Sequence, residues 1–280
     1  MMPAASMRVP DEAVASALAR AQAYVLEKQS PNGGFCFYRG YYLEEPSLAD
    51  TWHGLAALST LGAVPWQGDS HAAFVIAQPV EPQPFALYYR VRALGVLGVA
   101  DPMAADVRWA IGSLQIRRHD PAVHASLTLS LQRLRCTLWL KQHFEMPFEV
   151  DEIIQALLNC EGEKGGYGTP PNVLDTEAAI GVLKLCNRPI ASRTMDFVRV
   201  MAEPNFGFRL TAGALSPNLE TTCAGVISCS RMDMPVPYAQ AATAFILSCQ
   251  TGNGGFGRSA DALPDLALTH MALTTLIDHA

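Results

Sequence analysis

A nine-residue turn, Cys249-Gln250-Thr251-Gly252-Asn253-Gly254-Gly255-Phe256-Gly257, constrains this chain more than any other feature. Pro264 and the apolar run 266–277 follow it. A helix ends in Cys-Gln, a Gly-Gly-aromatic turn reverses the chain, and a proline opens a second helix. Nearly the same succession is written at 29–61 and 160–185, and a weaker copy runs over 203–229. A unit recurring every 40–50 residues or so is the signature of a repeat architecture, in which each unit buries its apolar face only against its neighbours.

Helical periodicity extends the pattern over the whole chain. The spacing predicts paired helices at 11–29 with 47–61, 71–77 with 85–99, 104–116 with 122–143, 150–160 with 172–186, 191–202 with 218–230, and 238–250 with 265–278. No run of useful length alternates as a strand would. Each second helix follows a proline (Pro46, Pro84, Pro121, Pro171, Pro217, Pro264), a residue that opens a helix without losing a hydrogen bond. These second helices are apolar nearly all round and read as an inner layer. The first helices carry one charged face, with Arg20, Glu27, Arg108, Asp151 and Glu152, and read as an outer layer.

Six such hairpins close naturally into a double ring; a linear solenoid is the alternative, disfavoured because neither end shows a polar capping repeat. Residues 1–10 form a tail without the basic and apolar segments of a signal peptide, and residues 11–280 form one domain. Only 16% of the chain is charged, so much of it must be buried. A net charge of −6 argues against nucleic acid as partner. No apolar stretch is long enough to span a bilayer, which leaves peripheral contact open. The seven cysteines lie mostly within apolar helical runs and read as free thiols of a reducing, cytoplasmic compartment.

The motif Gln-x-x-x-Gly-Gly-Phe, then Pro-x-x-x-Asp-Thr and an apolar helix, resembles the prenyltransferase/squalene-cyclase repeat. That family includes protein prenyltransferase β-subunits and class II terpene cyclases. The resemblance is clear in the first, fourth and sixth units, partial in the fifth and only positional in the second and third. It implies an all-α, (α/α)6 toroid of twelve helices in two concentric layers. It also implies an aromatic-lined central cavity for an isoprenoid or other apolar small molecule.

The family's two chemistries can be checked against the same register. The β-subunits hold zinc with an Asp-x-Cys on the fifth inner helix and a His on the sixth. Here Cys223 matches, whereas Thr221 and Leu268 stand in the other two places. A shifted set of Glu220, Cys223 and His270 is chemically sensible for zinc, although His270 lies about 200° round its helix from the family position. Such an enzyme would also need an α-subunit partner. Class II cyclases carry Asp-x-Asp-Asp, and Asn172-Val173-Leu174-Asp175 keeps only its last carboxylate. Asn218-Leu219-Glu220-Thr221 places a glutamate where the proton donor would stand.

Other polar groups on the inner helices complete the candidates. Asp50 and Asp175, on opposite helices, are either proton donors or caps for the first turns of those helices. Asp50 and His53 have the spacing of an acid/base pair on one helix face. Arg90, beside Tyr88 and Tyr89, is suited to a diphosphate or carboxylate head group, or to pairing with Glu177. Tyr42, Trp52, Tyr88 and Tyr167 are aromatic candidates for the cavity wall, where π faces would stabilise a carbocation. The readings are an isoprenoid cyclase or isomerase using Asp50, Asp175 or Glu220 as acid, with His53 and Glu177 as further catalytic candidates, a prenyltransferase with or without zinc, and a non-catalytic lipid-binding or scaffold toroid.

Overall fold

The computed structural model describes residues 11–40, 43–117, 126–214 and 216–279. Among them are twelve helices. The outer ones are α1 (Asp11–Glu27), α3 (Gly68–Ala77), α5 (Ala104–Ser113), α7 (Asp151–Leu158), α9 (Ser192–Val200) and α11 (Ala239–Ser248). The inner ones are α2 (Leu48–Thr60), α4 (Pro84–Leu97), α6 (Leu127–His143), α8 (Val173–Leu185), α10 (Leu219–Arg231) and α12 (Leu266–His279). The inner helices pack in an unbroken circuit: α2 on α4, α4 on α6, α6 on α8, α8 on α10, α10 on α12 and α12 back on α2. The ring is closed, and the chain is an α/α toroid. The tail expected at 1–10 lies outside the described residues.

One small hydrogen-bond circuit builds each clear repeat. The residue after the proline, rather than the proline itself, begins the helix. Ser47, Asn172, Asn218 and Asp265 cap α2, α8, α10 and α12 by accepting from the backbone N–H three residues on, at 3.0, 2.9, 2.8 and 2.6 Å. Among the described residues only Pro84 of these prolines sits inside a first turn, one position before the expected start of its helix. Proline fixes the extended approach to the cap, and the cap satisfies an N–H that would otherwise be orphaned.

A threonine one residue further ties the turn to the helix. Thr51, Thr176 and Thr269 each donate to the cap carbonyl at 2.6 Å. Each then accepts from the N–H of the turn aromatic, Phe35, Tyr167 or Phe256, at 3.0, 2.9 and 3.0 Å. These three aromatics are almost wholly buried. The only strands among the described residues are three two-residue pairs in such turns, 39–40 with 43–44, 167–168 with 171–172 and 202–203 with 207–208.

The polar residue that ends an outer helix reaches the next outer helix. Gln29 bonds His71 of α3 at 2.9 Å, and Glu161 accepts from Thr194 and Arg193 of α9 at 2.5 and 2.6 Å. Gln250 donates to Ala17 of α1 at 2.8 Å and accepts from Arg20, which joins the last repeat to the first. The approach is too close for a side chain on the turn: a Cβ on Gly254, which has φ +93°, would lie 2.4 Å from the Arg20 carbonyl oxygen. Glycine is therefore required there.

Candidate functional site

One cluster of a cation and aromatic rings joins three successive inner helices. Arg92, on α4, lies 4.7 Å from the Trp52 ring on α2, 5.2 Å from Trp139 on α6 and 5.8 Å from Tyr88. Helices α2 and α6 are not neighbours in the circuit, so a cation touching rings from both must reach into the axial space. The rings continue one another: Trp52 meets Tyr88 edge-on at 6.2 Å, and Tyr88 meets Trp139 edge-on at 5.1 Å. Trp139 stacks on His143 at 4.8 Å. A guanidinium over π faces is attracted by their quadrupoles, and no carboxylate among the described residues shares this one.

Two imidazoles close this wall at the seam between α12 and α2. Nδ1 of His53 and Nδ1 of His270 are 3.2 Å apart, so one ring donates and the other accepts. Burial holds both neutral. His53 is lowered to about 3 by desolvation and then by His270; His270 is lowered to about 4 by desolvation and then by the charge of Arg92. Tyr89 lies 5.7 Å from His53, and Trp52 meets His270 edge-on at 5.9 Å.

The opposite wall is charged. Glu177 on α8 accepts from Arg135 of α6 at 3.3 Å and from Arg231 of α10. Both arginines, with Arg92, draw the Tyr88 phenol down against the burial that raises it. Arg135 and Trp139 both lie on α6, which links this ion pair to the aromatic cluster. The ring is thus divided into an aromatic wall carrying Arg92 and two neutral histidines, and a wall carrying two arginines on one carboxylate.

Several sequence candidates occupy other places. Arg90 is 1% exposed and faces outward. Its Nε and Nη2 hold Asp101 at 2.5 and 2.9 Å, while Nη1 caps the end of α3 through the Val75 and Gln78 carbonyls. The Arg90–Glu177 pair does not form: Asp101 is nearer in the fold, and Glu177 belongs to Arg135 and Arg231. The Asp50–His53 pair does not form either, because Asp50 accepts from Ser47 Oγ at 2.6 Å and His53 turns to His270. Asp175 accepts from Thr128 and Asn172, both at 2.5 Å, within the cap of α8. Glu220 pairs with Arg258 at 3.0 Å. Tyr167 is 1% exposed inside the turn and core of its repeat. Tyr42 lies outside the described residues.

The donor set does not fit zinc. Cys223 is wholly buried within the core cluster of the first and last repeats. Glu220 is engaged by Arg258 and His270 by His53. Among the described residues no three His, Cys, Asp or Glu side chains converge as a metal site would require.

The site also contains residues that the first-turn register misses. Arg92 stands four residues after Tyr88, Arg135 four before Trp139, and Arg231 ends α10. They lie one or two helical turns deeper than the proline-defined positions, on the same face. Carrying the i, i+4 spacing down each inner helix would have found them. Asp265 is a further omission, a cap carboxyl raised above its usual range chiefly by burial and also by Glu220 and Asp50.

Comparison with known proteins agrees with this architecture. The model of the prenyltransferase alpha-alpha toroid domain matches residues 4–125 and 82–277. The chain belongs to that family. Protein geranylgeranyltransferase-I of Candida albicans, solved with GGPP, is similar in fold, with TM-score 0.64 and 15% identity over 82% of this chain and 83% of that one. The type II terpene cyclase MstE from Scytonema is similar with TM-score 0.65 and 11% identity, over 95% of this chain and 98% of its own. A variant of that cyclase in complex with geranylgeranyl dihydroxybenzoate gives TM-score 0.62 and 10% identity, over 96% and 97%. No curated protein matches the sequence.

Proposed function

We propose that this protein isomerises an isoprenoid by cyclisation, the hydrocarbon lying on the aromatic wall and an anionic head group meeting the arginines. The division of the axial space carries the reading: Arg92 is set among Trp52, Tyr88 and Trp139, with Arg135 and Arg231 on the facing wall. Isoprenoids with anionic heads need both surfaces at once. The fold's likeness to a terpene cyclase is consistent with this reading and does not by itself carry it.

In this scheme the carboxyl of Asp50 protonates a terminal alkene and a carbocation forms. Trp52, Tyr88 and Trp139 stabilise it through their π faces. The neutral His53–His270 pair then removes a proton, and a new ring and double bond remain. One proton is added and one removed, so product and substrate have equal mass and the head group is kept. Asp50 is preferred over Asp175 and Glu220 because Ser47 is its single side-chain partner among the described residues. The other two are held by Thr128 and Asn172, and by Arg258.

Incubation with geranylgeranyl diphosphate, read by mass spectrometry, tests the scheme. It predicts a product isomeric with the substrate, absent from Asp50→Asn, which still binds. Loss of diphosphate as the only reaction, or full turnover by Asp50→Asn, would contradict it. A second reading, a lipid-binding toroid without catalysis, draws on the engagement of Asp175, Glu177 and Glu220 in caps and ion pairs. Binding without turnover by the unaltered protein is its distinguishing result.

A further inference from the structure

We propose that Glu177 is an exchangeable internal counter-ion: an oxyanion head group takes its place between Arg135 and Arg231. This rests on the reading that the axial space receives an anionic isoprenoid, and it names the residue that sets how much negative charge that space accepts. Both guanidinium groups crowd onto one oxygen, Glu177 Oε1, while Oε2 has no hydrogen-bond partner among the described residues. Arg231 Nη1 also donates to the Glu177 backbone carbonyl at 3.4 Å, and a carboxylate held through one shared oxygen is less strongly held than one in two bidentate pairs.

The place is built rather than incidental. Gly181 lies one turn along α8 from Glu177, and a Cβ there would stand 2.9 Å from Arg231 Nη1 and 3.0 Å from Arg135 Nη1. The missing side chain lets both guanidinium groups lie against the α8 backbone. With both nitrogens this near one point, they are no more than about 6 Å apart and repel each other unless an anion lies between them. Solvent reaches the cluster, since the Arg135 and Arg231 side chains are 35% and 31% exposed and Glu177 is 13% exposed. An arriving head group therefore has access to the cations, and Glu177 competes with it for them.

The consequence is a gain of affinity on removing a carboxylate from the binding site. Glu177→Gln keeps an acceptor oxygen for the arginines and removes the charge. Gly181→Ala keeps every charge and displaces the flexible guanidinium ends. Titration calorimetry with inorganic pyrophosphate and with benzoate, on the full chain, reads both. The expected result is binding at least tenfold tighter in Glu177→Gln and at least tenfold weaker in Gly181→Ala. Equal affinity within twofold in either variant overturns the proposal, as does weaker binding in Glu177→Gln. Should Glu177→Gln fail to fold, Gly181→Ala decides alone. The ratio between the two probes tells phosphate from carboxylate heads. Tight anion binding with no isoprenoid turnover would leave this inference standing and remove the cyclisation scheme.

Discussion

At the scale of the residue, burial decides chemistry more than identity does. His53 and His270 look like ordinary titratable groups in sequence, yet desolvation lowers them to about 3 and about 4. Below the ordinary value of 6.5 the unfolded histidines take up protons while the folded pair does not. The pair's penalty is thus absent above pH 6.5 and grows as pH falls toward the folded values. The urea midpoint should drop more between about pH 7 and about pH 4.5 in the unaltered protein than in a His53→Asn/His270→Asn variant. His71 is also lowered, chiefly by burial, and contributes equally to both proteins, so the difference isolates the pair. Parallel pH profiles would contradict the assignment. Cysteine follows the same rule: Cys160 is exposed and should react with iodoacetamide in the native protein, whereas Cys223 should react only after unfolding.

At the scale of the element, the Asp-Thr signature serves the turn before it serves any substrate. Thr51, Thr176 and Thr269 each join a helix cap to a buried aromatic through one hydroxyl. Replacing any one with valine keeps the volume and strands a buried N–H, so each should cost about 1–3 kcal/mol by urea denaturation, with the inner surface unchanged. An undiminished stability would show that the hydroxyl is dispensable. These repeats were legible in sequence because Gly, Pro and Thr are demanded locally by backbone geometry, and helix limits fell within a few residues of those expected. The axial site was less legible. Its members Arg135 and Trp139 sit deep in α6 and Arg231 in the last turn of α10, far from the proline and cap that mark each helix start, and the start expected for α6 at 122 lies outside the described residues. Arg90 drew attention as a charge on an inner helix, but periodicity alone does not say that it reaches back to Asp101, whereas Arg92 reaches the axis.

At the scale of the whole molecule, the closed ring makes the first and last repeats one unit. Tyr24 is 1% exposed, packs where Gly255 and Pro264 leave room, and donates to the Pro264 carbonyl at 3.2 Å. Tyr24→Ala opens the seam between α1 and α12 and should cost about 3–5 kcal/mol, lowering the urea midpoint; Tyr24→Phe should cost about 1 kcal/mol. A cost for Tyr24→Ala no larger than for Tyr24→Phe would show that the seam carries no packing energy. No helix among the described residues is long and apolar enough to cross a membrane. The ring encloses instead an axial space in which aromatic and charged walls face each other, and all six inner helices contribute to it. That partition is the basis of the functional proposal, and two of the chain's four tryptophans report on it directly. Trp52 is buried and Trp139 half-buried on the aromatic wall, whereas Trp66 and Trp109 are 58% and 69% exposed on the outside. A fluorescence titration of the Trp66→Phe/Trp109→Phe variant with geranylgeranyl diphosphate therefore reads the axial space alone. The account predicts a saturable change in emission that is lost when Arg92→Met is added. No saturable change, or one that Arg92→Met leaves intact, would contradict it.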